Sequence, residues 1–392
     1  MLRDKIKAAL IGGAIGDAWG MPVETWNPER INGIHPGGVH SYVPPIGHKW
    51  FKVEEHPPGS TTDDTQLHVA TMVGLIAAKK RGATTWEEYM DGVAQAHLDS
   101  MRITTAGAGD STRLSVLSLG EGKTWRNSGV SGVNQKGEQM GTGNGVPMKI
   151  GALAAFLATP VGAKILDDNY FGEILDEKYF FRSNHFDQAC IDFSSMTHAT
   201  RMSAEASIAH ARLVMCCLDS EANAFSSGKF LDIMCSSVQR YEDVFEGSPP
   251  VRSAAHSLNQ LQDSTRRMAT VFQQLREFSY GDIWNTHYSG ENKFIEVARQ
   301  KFGGGSCYLY NSMPFTYAFF LRYWPSIIAL DYVVNAGGDT DTNGKMVGEM
   351  LGALHGMQIF KQPEWQWTLD GLLERQSLED LADEFCDVMG VE

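Results

Sequence analysis

The 392-residue chain predicts a mostly α-helical fold. Three observations carry that expectation: segments with apolar residues at helical spacing, helix start and stop residues at their ends, and scarce strand alternation. Residues 62–81, TDDTQLHVATMVGLIAAKKR, open on threonine and aspartate and run through nearly continuous apolar residues. They close on Lys79, Lys80 and Arg81 before Gly82. Oxygen acceptors and acids suit the positive end of a helix, cations its C-terminal end, and glycine its stop. Residues 203–218, 254–278 and 372–390 carry the same spacing.

Composition bounds the rest. At 43% hydrophobic and 20% charged, the chain is globular in composition and long enough for a large core. With no solenoid repeat and no low-complexity linker, 1–392 reads as a single domain. Two stretches read as surface elaborations: about 160–186, mixing aromatics with acids, and 219–300, with SSGK, EGSPP and HYSGEN turn clusters. Residues 33–60, with their Gly, Pro and His, read as a long loop leading into the 62–81 helix. No stretch has the roughly 18 uncharged apolar residues of a membrane span, and MLRDKIKAALIGG meets glycine and Asp17 too early for a secretory signal. A cytoplasmic protein without a membrane partner is expected. The net charge of −14 disfavours polyanion binding and no basic stripe appears, so nucleic acid is not an expected partner except as a modified-base substrate. Six cysteines without CxxC or zinc spacing read as buried thiols.

Residues 335–356, NAGGDTDTNGKMVGEMLGALHG, place glycine at 344, 348, 352 and 356, and GGAIGDAWG repeats the pattern at 12, 16 and 20. A glycine inside a helix costs about 1 kcal/mol relative to alanine, so such a run calls for close backbone packing. Lys345, Glu349 and Asp341 exclude a membrane dimerisation motif.

Three acidic clusters stand beside these segments: Asp17 to Glu24, Thr62-Asp63-Asp64, and Asp339-Thr340-Asp341-Thr342. Burying several carboxylates together is costly unless a cation neutralises them. Carboxylate and hydroxyl ligands without thiolate or a histidine pair suit Mg²⁺ or Mn²⁺ rather than zinc. The competing explanation, helix capping, accounts for one acid per helix and leaves the second of each pair unexplained.

GGAIGDAWGMPVE, STTDDTQL, GTGNGVPMK, MTHAT and GGDTDTNGKMVGEMLGALHG, in this order, resemble the ADP-ribosylglycohydrolase family, the relatives of dinitrogenase reductase-activating glycohydrolase and the J1 crystallins. The resemblance spans roughly residues 5 to 358, leaving 160–186 and 219–300 uncovered. It implies an all-α, orthogonally packed domain with two Mg²⁺ or Mn²⁺ ions at the base of a cleft. Thr62, Asp63 and Asp64 would hold them from one side and Asp339, Asp341 and Thr342 from the other, with Asp63 or Asp341 bridging. Glu24, Asp63 and Asp341 are the implied catalytic acids, and Asp17 an ordering residue. The loop Gly141, Thr142, Gly143, Asn144 and Gly145 would cradle diphosphate and ribose through exposed N–H groups. His198 and Tyr308 would meet the ligand, and Trp19, Trp26 and Trp50 the cleft mouth. Two departures bear on substrate choice: Lys149 where many relatives have arginine, and Ala199-Thr200-Arg201 after the histidine. The implied partner is an ADP-ribose-containing substrate, an ADP-ribosylated protein with arginine as the leading leaving group. A hydrolase of small ADP-ribosyl or nucleoside-type metabolites, a non-catalytic ADP-ribose-binding protein and a crystallin-like structural role are the alternatives.

Overall fold

A computed structural model describes residues 1–103, 107–134, 137, 139–168, 183–247, 268–278 and 291–392. Helices α1 (Leu2–Gly20) and α2 (Pro28–Ile34) lead into a long loop, followed by α3 (Asp63–Lys80), α4 (Trp86–Ile103) and α5 (Asp110–Gly120). The middle of the chain forms α6 (Pro147–Leu157), α7 (Pro160–Asp168), α8 (Ser183–Ser195), α9 (Arg201–Asp219), α10 (Ser227–Gly247), α11 (Met268–Phe278) and α12 (Glu291–Lys301). The last stretch holds α13 (Leu309–Tyr323), α14 (Ile328–Asn335), α15 (Thr340–His355), α16 (Gln366–Asp370) and α17 (Arg375–Met389). Among the described residues the only β-pairing is three isolated bridges, so the fold is all-α. No single described helix is long and apolar enough to cross a membrane.

The centre of the fold is the pair α1 and α15. Gly12 meets Gly348, Gly16 meets Gly344, Gly20 meets Thr340 and Ala8 meets Gly352, so the helices run antiparallel with four-residue steps in register. A Cβ at Gly12, Gly16, Gly20, Gly344, Gly348 or Gly352 would collide with the opposing backbone. The expected packing role therefore holds for all of these glycines. Gly356 is different: its φ of 71° ends the helix, and its N–H donates to the Gly352 carbonyl at 2.8 Å. Residues 340–354 of α15 are buried on every side, as is all of α6, which is why neither shows a one-sided apolar stripe.

Around this pair lie α3, α6, α9, α13, α14 and α17. The expected helices at 62–81, 203–218 and 372–390 appear as α3, α9 and α17. Of the expected 254–278 helix, Met268–Phe278 is observed and 254–267 lies outside the described residues. Within 219–300, Phe230, Met234, Phe272, Leu275, Phe278 and Phe294 are fully buried or nearly so, with Phe230 edge-on to Tyr317 at 5.9 Å. The described helices of this stretch thus supply core rather than surface alone. Within 160–186, α7 and the start of α8 are seen, and 169–182 lies outside the described residues. Cys307 is exposed and Cys216 and Cys235 are half-buried, which corrects the expectation of buried thiols throughout.

Candidate metal centre

Two helix heads make the site. Thr62 caps α3, its Oγ1 accepting from the Asp64 N–H at 3.3 Å, and this leaves Asp63 and Asp64 in the first turn. Asp17, near the C-terminal end of α1 and fully buried, accepts from the Thr62 N–H at 3.0 Å, the Thr65 N–H at 3.0 Å and the Thr65 hydroxyl at 2.6 Å. A carboxylate from one helix thus satisfies the orphan donors of another and fixes where the TDDT turn sits. At the head of α15, Thr340 Oγ1 donates to the Gly20 carbonyl at 2.7 Å, and the Asp339 N–H to the Gly305 carbonyl at 2.9 Å. The heads touch where Thr342 Oγ1 donates to Asp64 Oδ2 at 3.2 Å.

Glu24 enters from the turn after α1. Thr25, the one non-glycine with positive φ among the described residues (65°), donates its N–H to the Gly338 carbonyl at 2.6 Å. Gly338 returns its own N–H to the Trp26 carbonyl at 2.8 Å. This backbone clasp sets Glu24 beside the GDTDT head, and the left-handed Thr25 is local strain held by it. Carboxylate oxygens of Glu24, Asp339 and Asp341 all lie within 4.8 Å of one another. Asp63 and Asp64 stand outside that tightest trio, Asp63 against Gly107 and Asp64 against Thr342.

The electrostatics are those of an under-compensated acidic pocket. Burial, reinforced by the neighbouring acids, pushes Glu24, Asp64 and Asp341 well above the usual carboxylate range. Burial and Asp17 raise Asp63 to about 8 against the pull of Lys149. Glu24 Oε2 and Asp64 Oδ1 are buried without any hydrogen-bond partner. Orphaned oxygens and mutually raised carboxylates, with no sulfur or imidazole in the trio, fit a hard divalent cation.

The GTGNG loop lies directly against the acids. Asn144 Nδ2 donates to Asp339 Oδ2 at 2.6 Å and to Ser312 Oγ at 3.0 Å. Backbone bonds from Asn144 N–H to the Cys307 carbonyl (2.9 Å) and from Leu309 N–H to the Thr142 carbonyl (3.1 Å) join the loop to residues 307–309. Gly143 and Tyr308 form a bridge there. Of the N–H groups expected to face an anion, that of Gly141 is engaged by Ser111 Oγ at 2.9 Å and that of Asn144 by Cys307. Gly145 makes room for the His198 ring.

The family model for ADP-ribosylglycohydrolases matches residues 1–392. This chain belongs to the ADP-ribosylglycohydrolase family. Membership makes it a glycohydrolase that acts at ADP-ribosyl groups. A solved structure described as an ADP-ribosylglycohydrolase-related protein complex shares the fold, with a TM-score of 0.56 at 20% identity over 99% of each chain. No curated protein matches the sequence.

The remaining site residues of this ADP-ribosylglycohydrolase fall into three groups. Glu24, Asp339 and Asp341 form the trio, Thr62 and Thr342 bond Asp64 beside it, and Asp63 senses the charge of Asp339, with Thr142, Asn144 and Tyr308 alongside. His198 is buried, pushed down to about 3 by desolvation and then by Lys149. Trp19 and Trp26 belong to the core, Trp19 edge-on to Trp367 at 4.8 Å, whereas Trp50 is half exposed. His48, unnoticed in the sequence, donates through Nε2 to the Glu24 carbonyl at 3.1 Å while its Nδ1 accepts the Phe51 N–H at 3.1 Å.

Beneath the acids runs a second polar chain. Lys345 Nζ, one turn after Asp341, lies 3.1 Å from His68 Nδ1, one turn after Asp64. Glu349 lies 3.3 Å from His68 Nδ1 and 3.3 Å from His210 Nε2, and His210 Nδ1 meets the Tyr317 hydroxyl at 3.0 Å. All five side chains are essentially inaccessible. Burial works against Glu349, yet Lys345 and His210 hold its carboxyl at about 2. The sequence signal for this chain was available: a lysine and a glutamate one turn apart on a helix otherwise lined with glycine and apolar residues.

Proposed function

We propose that this ADP-ribosylglycohydrolase is a divalent-metal-dependent hydrolase of the C1″ glycosidic bond of ADP-ribose conjugates, removing ADP-ribose from a modified side chain, arginine first. The observation that carries it is the buried trio Glu24, Asp339 and Asp341 with two orphaned carboxylate oxygens in the same pocket. Two Mg²⁺ or Mn²⁺ ions would be held by Thr62, Asp63, Asp64, Asp339, Asp341 and Thr342, the set whose hard oxygens match such ions. Bound there, they supply Lewis-acid polarisation of ribose hydroxyls and orient the sugar.

The protein's own groups do the rest. Glu24, with Oε2 unpartnered, acts as general acid-base at the anomeric centre, giving a proton to the leaving group or taking one from the attacking water. Asn144 holds Asp339 through its amide. The flanking loop and Tyr308 place the ADP-ribose so that its C1″ faces the acids, which removes orientational freedom before the bond is broken. His198 serves as a substrate contact at Gly145.

The test is ADP-ribose release from arginine-, serine- and nucleobase-linked conjugates with Mg²⁺, Mn²⁺ or EDTA, beside Asp341→Ala. Metal-dependent release lost in the variant supports the reading and names the leaving group. Undiminished turnover by Asp341→Ala overturns the metal assignment, and cleavage of nucleosides lacking the diphosphate moves the substrate to small metabolites.

A further inference from the structure

We propose that Lys149 and Thr197 are positioning residues that fix His198 as a neutral imidazole protonated on Nε2, a donor aimed at an oxygen of the bound ADP-ribose. The substrate half of this statement rests on the function proposed above.

Lys149 is fully buried in α6, and its Nζ has one hydrogen-bond acceptor, Thr197 Oγ1, at 3.1 Å. No carboxylate lies within ion-pair distance of it among the described residues. Burial lowers Lys149 to about 7 against the pull of Asp63, so at about pH 6 it is an ammonium, which offers donors only, and Thr197 Oγ1 accepts from it. The hydroxyl then has one proton to give, and the neighbouring acceptor is His198 Nδ1 at 2.9 Å. A ring nitrogen that accepts carries no proton, which leaves the proton on Nε2. The opposite tautomer would make Thr197 Oγ1 accept twice and strand its own hydrogen. The doubly protonated ring is opposed by burial and by the nearby ammonium, which together hold His198 at about 3.

The Nε2 side is open for a ligand. It has no hydrogen bond within the described structure, although the residue is only 3% exposed. Its edge faces Gly145: a Cβ there would stand 2.8 Å from Cε1 and 3.0 Å from Nε2, so any side chain at 145 would cover it. Gly145 directly follows Asn144, whose amide holds Asp339. The unpartnered N–H therefore opens one residue along the loop from the acid centre. The ring is buried while Nε2 keeps a narrow contact with solvent, and an acceptor oxygen arriving with the substrate completes its hydrogen bonding. Both the diphosphate and the terminal ribose of ADP-ribose offer such an oxygen.

The experiment uses full-length protein labelled with ¹⁵N-histidine at about pH 6, where free imidazole titrates and the tautomer is informative. His198 is assigned by difference with His198→Gln. In the unaltered protein, long-range ¹⁵N spectra should show Nδ1 bare and Nε2 protonated. Thr197→Val should mix the tautomers and weaken ADP-ribose binding about tenfold, the worth of one hydrogen bond, and Thr197→Ser should restore both. Loss of affinity for ADP as well as ADP-ribose places the acceptor in the diphosphate; loss for ADP-ribose alone places it in the terminal ribose; either supports the proposal. A proton on Nδ1 in the unaltered protein overturns it, and that spectrum decides even where Thr197→Val fails to fold. A Val variant with the altered tautomer and unchanged affinity overturns the substrate role. The expected tautomer in a protein that hydrolyses no ADP-ribose conjugate leaves the relay standing and overturns the proposed function instead.

Discussion

The Thr342 hydroxyl donates to Asp64 Oδ2 at 3.2 Å, joining the heads of α15 and α3. That bond aligns acids supplied by opposite parts of the chain. Thr342→Val keeps the shape and removes the donor, so Mn²⁺ affinity should weaken about tenfold while the denaturation midpoint barely moves. Titration of Mn²⁺ by electron paramagnetic resonance reads the first, urea unfolding the second. Unchanged affinity would show that Thr342 takes no part in holding the ion.

The glycine contact between α1 and α15 should tolerate no methyl group. Gly16→Ala and Gly348→Ala each drive a Cβ into opposing backbone, and the expected cost is about 3 kcal/mol. Gly33, in α2, has nothing within 4 Å of its notional Cβ, so Gly33→Ala should be neutral or stabilising by up to about 1 kcal/mol. Equilibrium denaturation of the three variants checks the contrast, and equal stabilities would refute the close packing.

In metal-free protein the stability contributed by Asp63 should fall as pH rises from about 4 to about 8. The Asp63 carboxyl is raised from 3.8 to about 8, so its protonated form is favoured by the fold; that contribution is complete below pH 3.8 and is lost as pH rises through about 8. His68, His97 and His198 work at the other end. Their pKa values fall from 6.5 to about 3, so their contribution is present above pH 6.5 and is lost as pH falls towards 3. Melting temperatures with EDTA should fall as pH drops below about 6.5, where the three histidines outweigh Asp63, and again as pH rises from about 6.5 to 8, and Mg²⁺ should remove only the second decline. A decline between about 6.5 and 8 that is indifferent to Mg²⁺ would separate the acids from the ion.

The chain Lys345, His68, Glu349, His210 and Tyr317 should behave as a unit. Removing one charge strands the other in the core, at about 3–5 kcal/mol for Lys345→Met or Glu349→Gln alone. The double variant removes both charges and should cost well below the sum of the two. A double-mutant cycle by chemical denaturation reports the coupling. Additive losses would mean the two side chains do not sense each other.

Much of this architecture was legible because local chemistry and global packing agree. The TDDT turn announced both a helix head and an acid cluster, and the glycines at 12, 16, 20, 344, 348 and 352 announced a backbone contact. What the sequence hid was pairing at a distance. Nothing local says that Asn144 gives its amide to Asp339, that Asp17 caps α3, or that His48 supports Glu24. The burial of Trp19 and Trp26 is likewise set by partners far along the chain, since an indole has the same local signature in a core and at a cleft mouth.

The partnership of α1 with α15 has a consequence for biosynthesis. Gly12 and Gly348 lie far apart in sequence, so α1 leaves the ribosome long before its mate. Until then its glycine-rich surface lacks the backbone it closes upon. The same ordering delays the acid centre, because Asp339 and Asp341 ride on the late helix. A nascent chain that has not yet made α15 therefore carries three of the five acids, Glu24, Asp63 and Asp64, and none of the assembled pocket.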